Sequence, residues 1–250
     1  MTDAAHPMMA EVLAGLTASP KALNPKFFYD ALGSKLFEAI TYTPEYYPTD
    51  CEVEILHTRA HEIADALGPD VTLVELGSGQ STKVPILLDA LRAVHAYVPV
   101  DIDAGTLDEA ARRLRTAFPD LTVIPVAADF TQPWDLPPLP HDGAPVVFYP
   151  GSTIGNLDPS AAQAFLTALG AQLPPRARLL IGVDLEKDPA VLEAAYDDAP
   201  GVTAAFNRNM LAHLNRALGA DFDPRQFDHR AFYDADAHRI EMHLVSRSSH

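Results

Sequence analysis

Apolar positions along the chain fall into two textures. In the first 70 residues they recur at steps of three and four: Met9, Val12, Leu13 and Leu16 share one helical face. Val53, Leu56, Ala60, Ile63 and Leu67 predict a second, longer helix. Thr49-x-x-Glu52, directly after Pro48, reads as a capping box that opens it, and Gly68-Pro69 closes it. The stretch between, NPKFFYDALGSKLFEAITYTPEYYP, is rich in aromatics and turn residues. From residue 71 the texture changes to short continuous apolar runs: VTLVEL (71–76), AYVPVDID (96–103), LTVIPVAADF (121–130), PVVFYPGS (145–152) and ARLLIGVDL (177–185). Helical stretches alternate with them, carrying Val84, Leu87, Leu88 and Leu91, then Leu107, Ala111, Leu114 and Phe118, then Phe165, Leu166, Leu169 and Leu173. Asp158-Pro159 opens the last of these in N-cap, N1 order. Two-sided apolar strands alternating with helices predict an α/β fold, a parallel sheet covered on both faces.

The Pro-rich TQPWDLPPLPHDGAP (131–145) reads as a surface connector. After residue 186 the alternation stops. Asp188-Pro189 starts another helix, and GVTAAFNRNMLAHLNRALG (201–219) gives a longer one ending at Gly219. The last 30 residues look like the opening of a strand-containing layer.

Charge narrows the partners. Lys plus Arg number 18 against 34 Asp plus Glu, a formal net charge of −16. That balance repels nucleic acid and anionic membrane at long range, so neither is expected as a partner. No apolar run approaches the roughly 18 residues of a membrane span, and MTDAAHPMMAEV lacks the form of a signal peptide. The single cysteine, Cys51, excludes an internal disulfide or a Cys-clustered metal site and reads as a buried or half-buried filler. His57-x-x-x-His61 has no evident third ligand, and no metal is expected. The expectation is a soluble, cytoplasmic globular protein.

Ligands of open parallel sheets bind beyond the carboxyl ends of the strands, so the residues there carry the chemistry. Strand one ends in Glu75-Leu76-Gly77-Ser78-Gly79, which is either a ligand-approached loop or a plain tight turn. A dinucleotide fingerprint needs a third glycine where Thr82 stands, and Thr82-Lys83-Val84 fails the phosphate-loop pattern. A nicotinamide oxidoreductase is therefore excluded. Strand two ends in Asp101-Ile102-Asp103: an acid there can take both hydroxyls of a ribose, while Asp103 can cap the next helix. Asp129-Phe130 at the third strand end suits an exocyclic amine and a purine face, and equally a surface turn. Acceptors at successive strand ends without a third glycine favour an adenosine ligand lacking pyrophosphate, which S-adenosyl-L-methionine satisfies. Gly151-Ser152-Thr153-Ile154-Gly155-Asn156 forms a pocket floor or a capped turn, and Glu45-Tyr46-Tyr47 is ambiguous between packing and catalysis.

Taken together, FFYDALGSKLFEAIT, TPEYYPT, LVELGSGQSTK, VPVDID, AADF, PGSTIGNLDP, DLEKDP, AYDDAPGVTAAFNRN and RIEMHL resemble the histidine-specific N-α-methyltransferases of ergothioneine biosynthesis, collinearly from about residue 11 to residue 250. The resemblance implies a class I methyltransferase (Rossmann-like) parallel sheet with a helical N-terminal segment and a second substrate domain. The domains it implies are 1–62 (N-terminal helical part of the substrate domain), 63–188 (cofactor-binding core) and 189–250 (substrate-domain insertion). The implied activity is trimethylation of the α-amine of L-histidine to hercynine, with S-adenosyl-L-methionine as cofactor; relatives act on other α-amines.

Carried over residue by residue, the implied cofactor site is Gly77, Lys83, Asp101, Asp129 and Phe130, with Asp101 on the ribose and Asp129 near the adenine amine. Tyr46 and Asn156 are implied at the α-amine, Asn156 and Tyr196 near the carboxylate, and Gly151 in the substrate pocket. Tyr29, Phe206 and Met242 are implied to enclose the imidazole or its entrance. The family pattern continues beyond RIEM-x-L, with imidazole-gripping residues and two further strands. The chain therefore reads as C-terminally shortened, its fifth strand an apolar edge that invites self-association. The competing expectation is a catalytically silent cofactor-binding module, one half of an assembly.

Overall fold

The computed structural model describes residues 7–138 and 145–248. In chain order, α1 (Pro7–Thr17), α2 (Ala31–Ile40) and α3 (Tyr47–Leu67) precede β1 (Val71–Leu76), α4 (Val84–Ala90) and β2 (Val94–Asp101). Next come α5 (Ala104–Ala117), β3 (Thr122–Val123), β4 (Val126–Ala127), β5 (Pro145–Tyr149), α6 (Pro159–Gln172) and β6 (Arg178–Ile181). Helices α7 (Pro189–Tyr196) and α8 (Val202–Leu218) lead to β7 (Phe227–Asp234) and β8 (Arg239–Ser246). Two compact units result: 47–186, and 1–46 with 187–250. Among the described residues no helix is long and apolar enough to cross a membrane.

The 47–186 unit is the expected parallel sheet, ordered β3-β2-β1-β5-β6, with β4 also paired to β2. This doubly wound order places a topological switch point between β1 and β5, the crevice where such sheets take ligands. Every residue of β1 and β5 is buried, Thr72 and Glu75 of β1 included. One face holds Leu56, Leu67, Leu87, Tyr97 and Leu114; the other holds Val98, Val100, Tyr149, Phe165 and Leu169.

Several expected strands change their bounds. LTVIPVAADF becomes two fragments because Pro125, between them, has no N–H to give β2. Ile124 and Ala128 still donate to Tyr97 and Asp101 across that gap, both at 2.9 Å. AYVPVDID starts two residues earlier and stops at Asp101, because Asp103 caps α5 through the Gly105 and Thr106 amides. ARLLIGVDL pairs only over Arg178–Ile181. Beyond it, the Asp184 amide turns away to the Ser152 hydroxyl at 3.0 Å. Among the described residues no strand covers the outer edge of β6, and Leu179, Val183 and Leu185 are exposed.

Helix α3 begins at Tyr47, so Thr49 lies inside it and the expected capping box does not form. Cys51 is exposed on this helix rather than a buried filler.

In the other unit, β7 and β8 form an antiparallel hairpin, so the last residues do carry strands as expected. The aromatic stretch before α3 hides a helix: Asp30 caps α2 by accepting from the Gly33 amide at 2.7 Å. The same carboxylate takes Asn209 of α8 at 2.8 Å and pairs with Arg216, tying α2 to α8. Phe206 is buried, stacked on Phe28 at 4.6 Å with Tyr29 and Phe37 around it. Phe206→Leu keeps an apolar filler but loses the ring stack. The expected cost is about 1–2 kcal/mol, seen as a lower urea midpoint with an unchanged slope.

Candidate active site

The loop after β1 is built around two backbone requirements. Gly77 holds φ +67°, and its amide donates to Val100 at 2.9 Å. A Cβ there would make only ordinary contact with the Phe130 ring, at 3.5 Å, so it is the backbone conformation that selects glycine. The Gly79 amide donates to Asp101 Oδ2 at 2.8 Å, and nothing lies within 4 Å of where its Cβ would stand. That is an open cradle floored by backbone. Asp101 Oδ1 accepts from the Asp103 amide at 2.9 Å, so each oxygen retains a lone pair for an incoming hydroxyl. Burial raises the Asp101 carboxyl above the usual carboxylate value, opposed by the Asp103 and Gly79 amides.

The neighbouring strand ends add the rest. Asp129 Oδ1 accepts from the Thr131 amide at 3.1 Å and the Thr131 hydroxyl at 2.5 Å, which fixes its orientation. Phe130 sits edge-on to Tyr149 and Phe165, at 5.7 and 6.0 Å between centroids, so its ring is held by the sheet's own core. Lys83, at the start of α4, forms an ion pair with Glu52 of α3. The Gly151 amide donates to the same Glu52 carboxylate. Asn156 ends a short 3-10 turn, Thr153–Asn156, and is exposed. Gly77, Lys83, Asp101, Asp129, Phe130, Gly151 and Asn156 therefore all belong to one unit, at the ends of its strands or on the segments that follow them.

Beneath the cradle lies a polar cluster that no expectation singled out. Glu75 of β1 is 2% exposed and accepts from the Tyr97 hydroxyl. Tyr97 already spends its proton on Glu75, so the Ser81 hydroxyl, 2.9 Å away, donates to the Tyr97 oxygen. The chain Ser81–Tyr97–Glu75 pins the glycine loop to β1 and β2. Burial pushes the Glu75 carboxyl up to about 8, against the pull of Tyr97 and Lys83. The signal was visible: one glutamate inside an otherwise apolar VTLVEL.

The other unit holds the remaining site residues. Tyr46 is buried, edge-on to Tyr196 at 6.0 Å and to Phe37 at 6.1 Å. Tyr29 meets Phe37 and Phe206 edge-on, both at 5.7 Å. Tyr29, Tyr46, Tyr196 and Phe206 thus share one aromatic cluster. Met242 is half-buried on β8, opposite Ala231. His229, also missed, has a side chain only 1% exposed. Its Nε2 donates to the Tyr196 carbonyl at 2.8 Å, while Nδ1 accepts from the Asn207 amide at 2.9 Å. Those two partners fix one neutral tautomer and the backbone beside Tyr196.

The family model of SAM-dependent, histidine-specific methyltransferases matches residues 8–250. The chain belongs to this family. As a member it uses S-adenosyl-L-methionine, and the donor set fits: an open glycine cradle, an oriented acid on β2 and a fixed acid–aromatic pair after β4. A histidine N-alpha-methyltransferase from Mycolicibacterium smegmatis is 50% identical over 99% of this chain and 77% of its own. One from Mycobacterium tuberculosis is 47% identical over 97% of this chain and 76% of its own. Ergothioneine biosynthesis protein 1 of Schizosaccharomyces pombe is 32% identical over 86% of this chain and 29% of its own. This family member thus spans about three quarters of the length of its two bacterial relatives.

Proposed function

We propose that this methyltransferase trimethylates the α-amine of L-histidine to hercynine, a step toward ergothioneine. The 50% identity to a histidine N-alpha-methyltransferase over 99% of this chain carries the reading. Asp101 accepts the ribose hydroxyls, Asp129 the adenine amine, and Phe130 backs the ring. Lys83 meets the methionine carboxylate. The cofactor supplies a methyl group on a sulfonium, which the amine displaces in line, so the chain's own residues mainly position the reactants.

Tyr46 and Asn156 orient the amine's lone pair, and Asn156 and Tyr196 hold the substrate carboxylate. Tyr29, Phe206 and Met242 shape the space for the imidazole. A free α-amine has a pKa of about 7.7–8.0, so solvent can take its proton and no strong base is required. The acidic composition and single cysteine suit the cytoplasm.

Calorimetric titration with S-adenosylhomocysteine, then histidine, tests the reading on the chain as it stands. Both are expected to bind, and incubation with S-adenosyl-L-methionine is expected to give mono-, di- and trimethylhistidine by mass spectrometry. Preferential methylation of another α-amino acid replaces the substrate. Cofactor binding with no methyl transfer to any α-amine favours the silent binding module.

A further inference from the structure

Glu52 is left without the helix-capping role its sequence pattern suggests, and its carboxylate does something else. It receives the Gly151 amide with both oxygens, at 2.8 and 3.0 Å, and pairs with Lys83 Nζ. The two charged side chains are only 14% and 16% exposed. The fold keeps a place for this carboxylate. A Cβ on Gly182, the residue after β6, would lie 2.0 Å from Glu52 Oε1. Tyr47, earlier on the same helix, bonds Asp184, so α3 is fastened to the segment after β6. An ion pair this far from solvent gives little stability over apolar packing of the same shape, which directs attention to what it holds.

We propose that Glu52 is a positioning residue of the cofactor site, fixing Lys83 and cancelling its charge so that the site grips a carboxylate without repelling a sulfonium. The inference rests on the cofactor reading above. S-adenosyl-L-methionine carries an ammonium, a carboxylate and a sulfonium, whereas its demethylated product has lost the sulfonium charge. A lysine alone attracts the carboxylate of both molecules and opposes the extra positive charge of one. The nearby acids do not replace Glu52. Burial favours the protonated form of Glu75, and Asp101, held by the Gly79 and Asp103 amides, is assigned to the ribose and not paired with Lys83.

The test compares affinities for the two cofactor forms in the full chain, for wild type, Glu52→Gln and Glu52→Gln/Lys83→Met. In Glu52→Gln, affinity for S-adenosyl-L-methionine is expected to fall roughly tenfold, and that for S-adenosylhomocysteine by less than about twofold. The double variant is expected to bind both forms more weakly while restoring the wild-type ratio. A purely structural role weakens both forms equally in Glu52→Gln, and that result, or an unchanged ratio, overturns the proposal. Should Glu52→Gln fail to fold, Gly182→Ala takes its place, since it displaces the carboxylate without removing it. The ratio must shift in the same direction there, and an unmoved ratio is equally fatal. A wild-type chain that binds neither form refutes the cofactor reading itself, before any substitution is made.

Discussion

Replacing Asn156 with alanine is expected to lower histidine methylation by at least ~10²-fold while leaving affinity for S-adenosylhomocysteine within about twofold. The argument is one of elimination along a single loop. Beyond β5, the Gly151 amide is committed to Glu52, the Ser152 hydroxyl to the Asp184 amide and the Thr153 hydroxyl to the Pro150 carbonyl. The Asn156 side chain is exposed and makes no hydrogen bond among the described residues, so it is a polar group there left to meet a ligand. An exposed side chain with no partners costs little stability when removed. The proposed cofactor residues lie on other loops, so affinity for the product form reports on them separately. Initial rates beside a calorimetric titration decide the matter. Normal turnover removes Asn156 from the mechanism, and a matching loss of cofactor affinity moves it into the cofactor site.

The second large effect is on stability. Glu75 is buried, and desolvation lifts its carboxyl from the ordinary 4.5 to about 8. Between those values the folded chain keeps a proton that the unfolded chain releases. Fewer protons bound in the unfolded state means that unfolding becomes easier as pH rises. The group's contribution is intact below pH 4.5 and falls by about 1.4 kcal/mol per unit up to about 8, where both states are ionised. Glu75→Gln keeps the shape and an acceptor for Tyr97 but cannot ionise. Its stability relative to wild type is expected to rise by ~4 kcal/mol from pH 5 to pH 8 and then level off. Denaturant unfolding across that range checks it, and parallel curves for the two proteins would show that Glu75 ionises in the native state at its ordinary pH.

The parallel sheet was legible because continuous apolar runs separated by amphipathic helices admit few other arrangements. The strand-end residues were legible because such a sheet exposes its ligand groups there. What escaped depends on partners distant in sequence. Thr49-x-x-Glu52 satisfies a local capping rule, yet Glu52 answers to Lys83 and Gly151, and the helix starts earlier than the rule allows. Glu75 stood out in its strand, but its meaning needed Tyr97 of β2 beside it. Helix α2 was masked by the aromatics around it, although Asp30 ahead of Leu36 and Ile40, four apart, was a readable cap and face. Pro125, by contrast, was visible and sufficient: a missing donor in the middle of a run divides the strand.

Cys51 gives the chain a practical property. It is the single thiol of this chain's 250 residues, exposed on α3 one residue before the carboxylate that holds Lys83 and Gly151. A maleimide dye therefore attaches at one place without engineering, on a helix tied to the cofactor-side loops. The chain carries its own attachment point for an optical reporter, and ligand titrations can be followed by fluorescence as well as by heat.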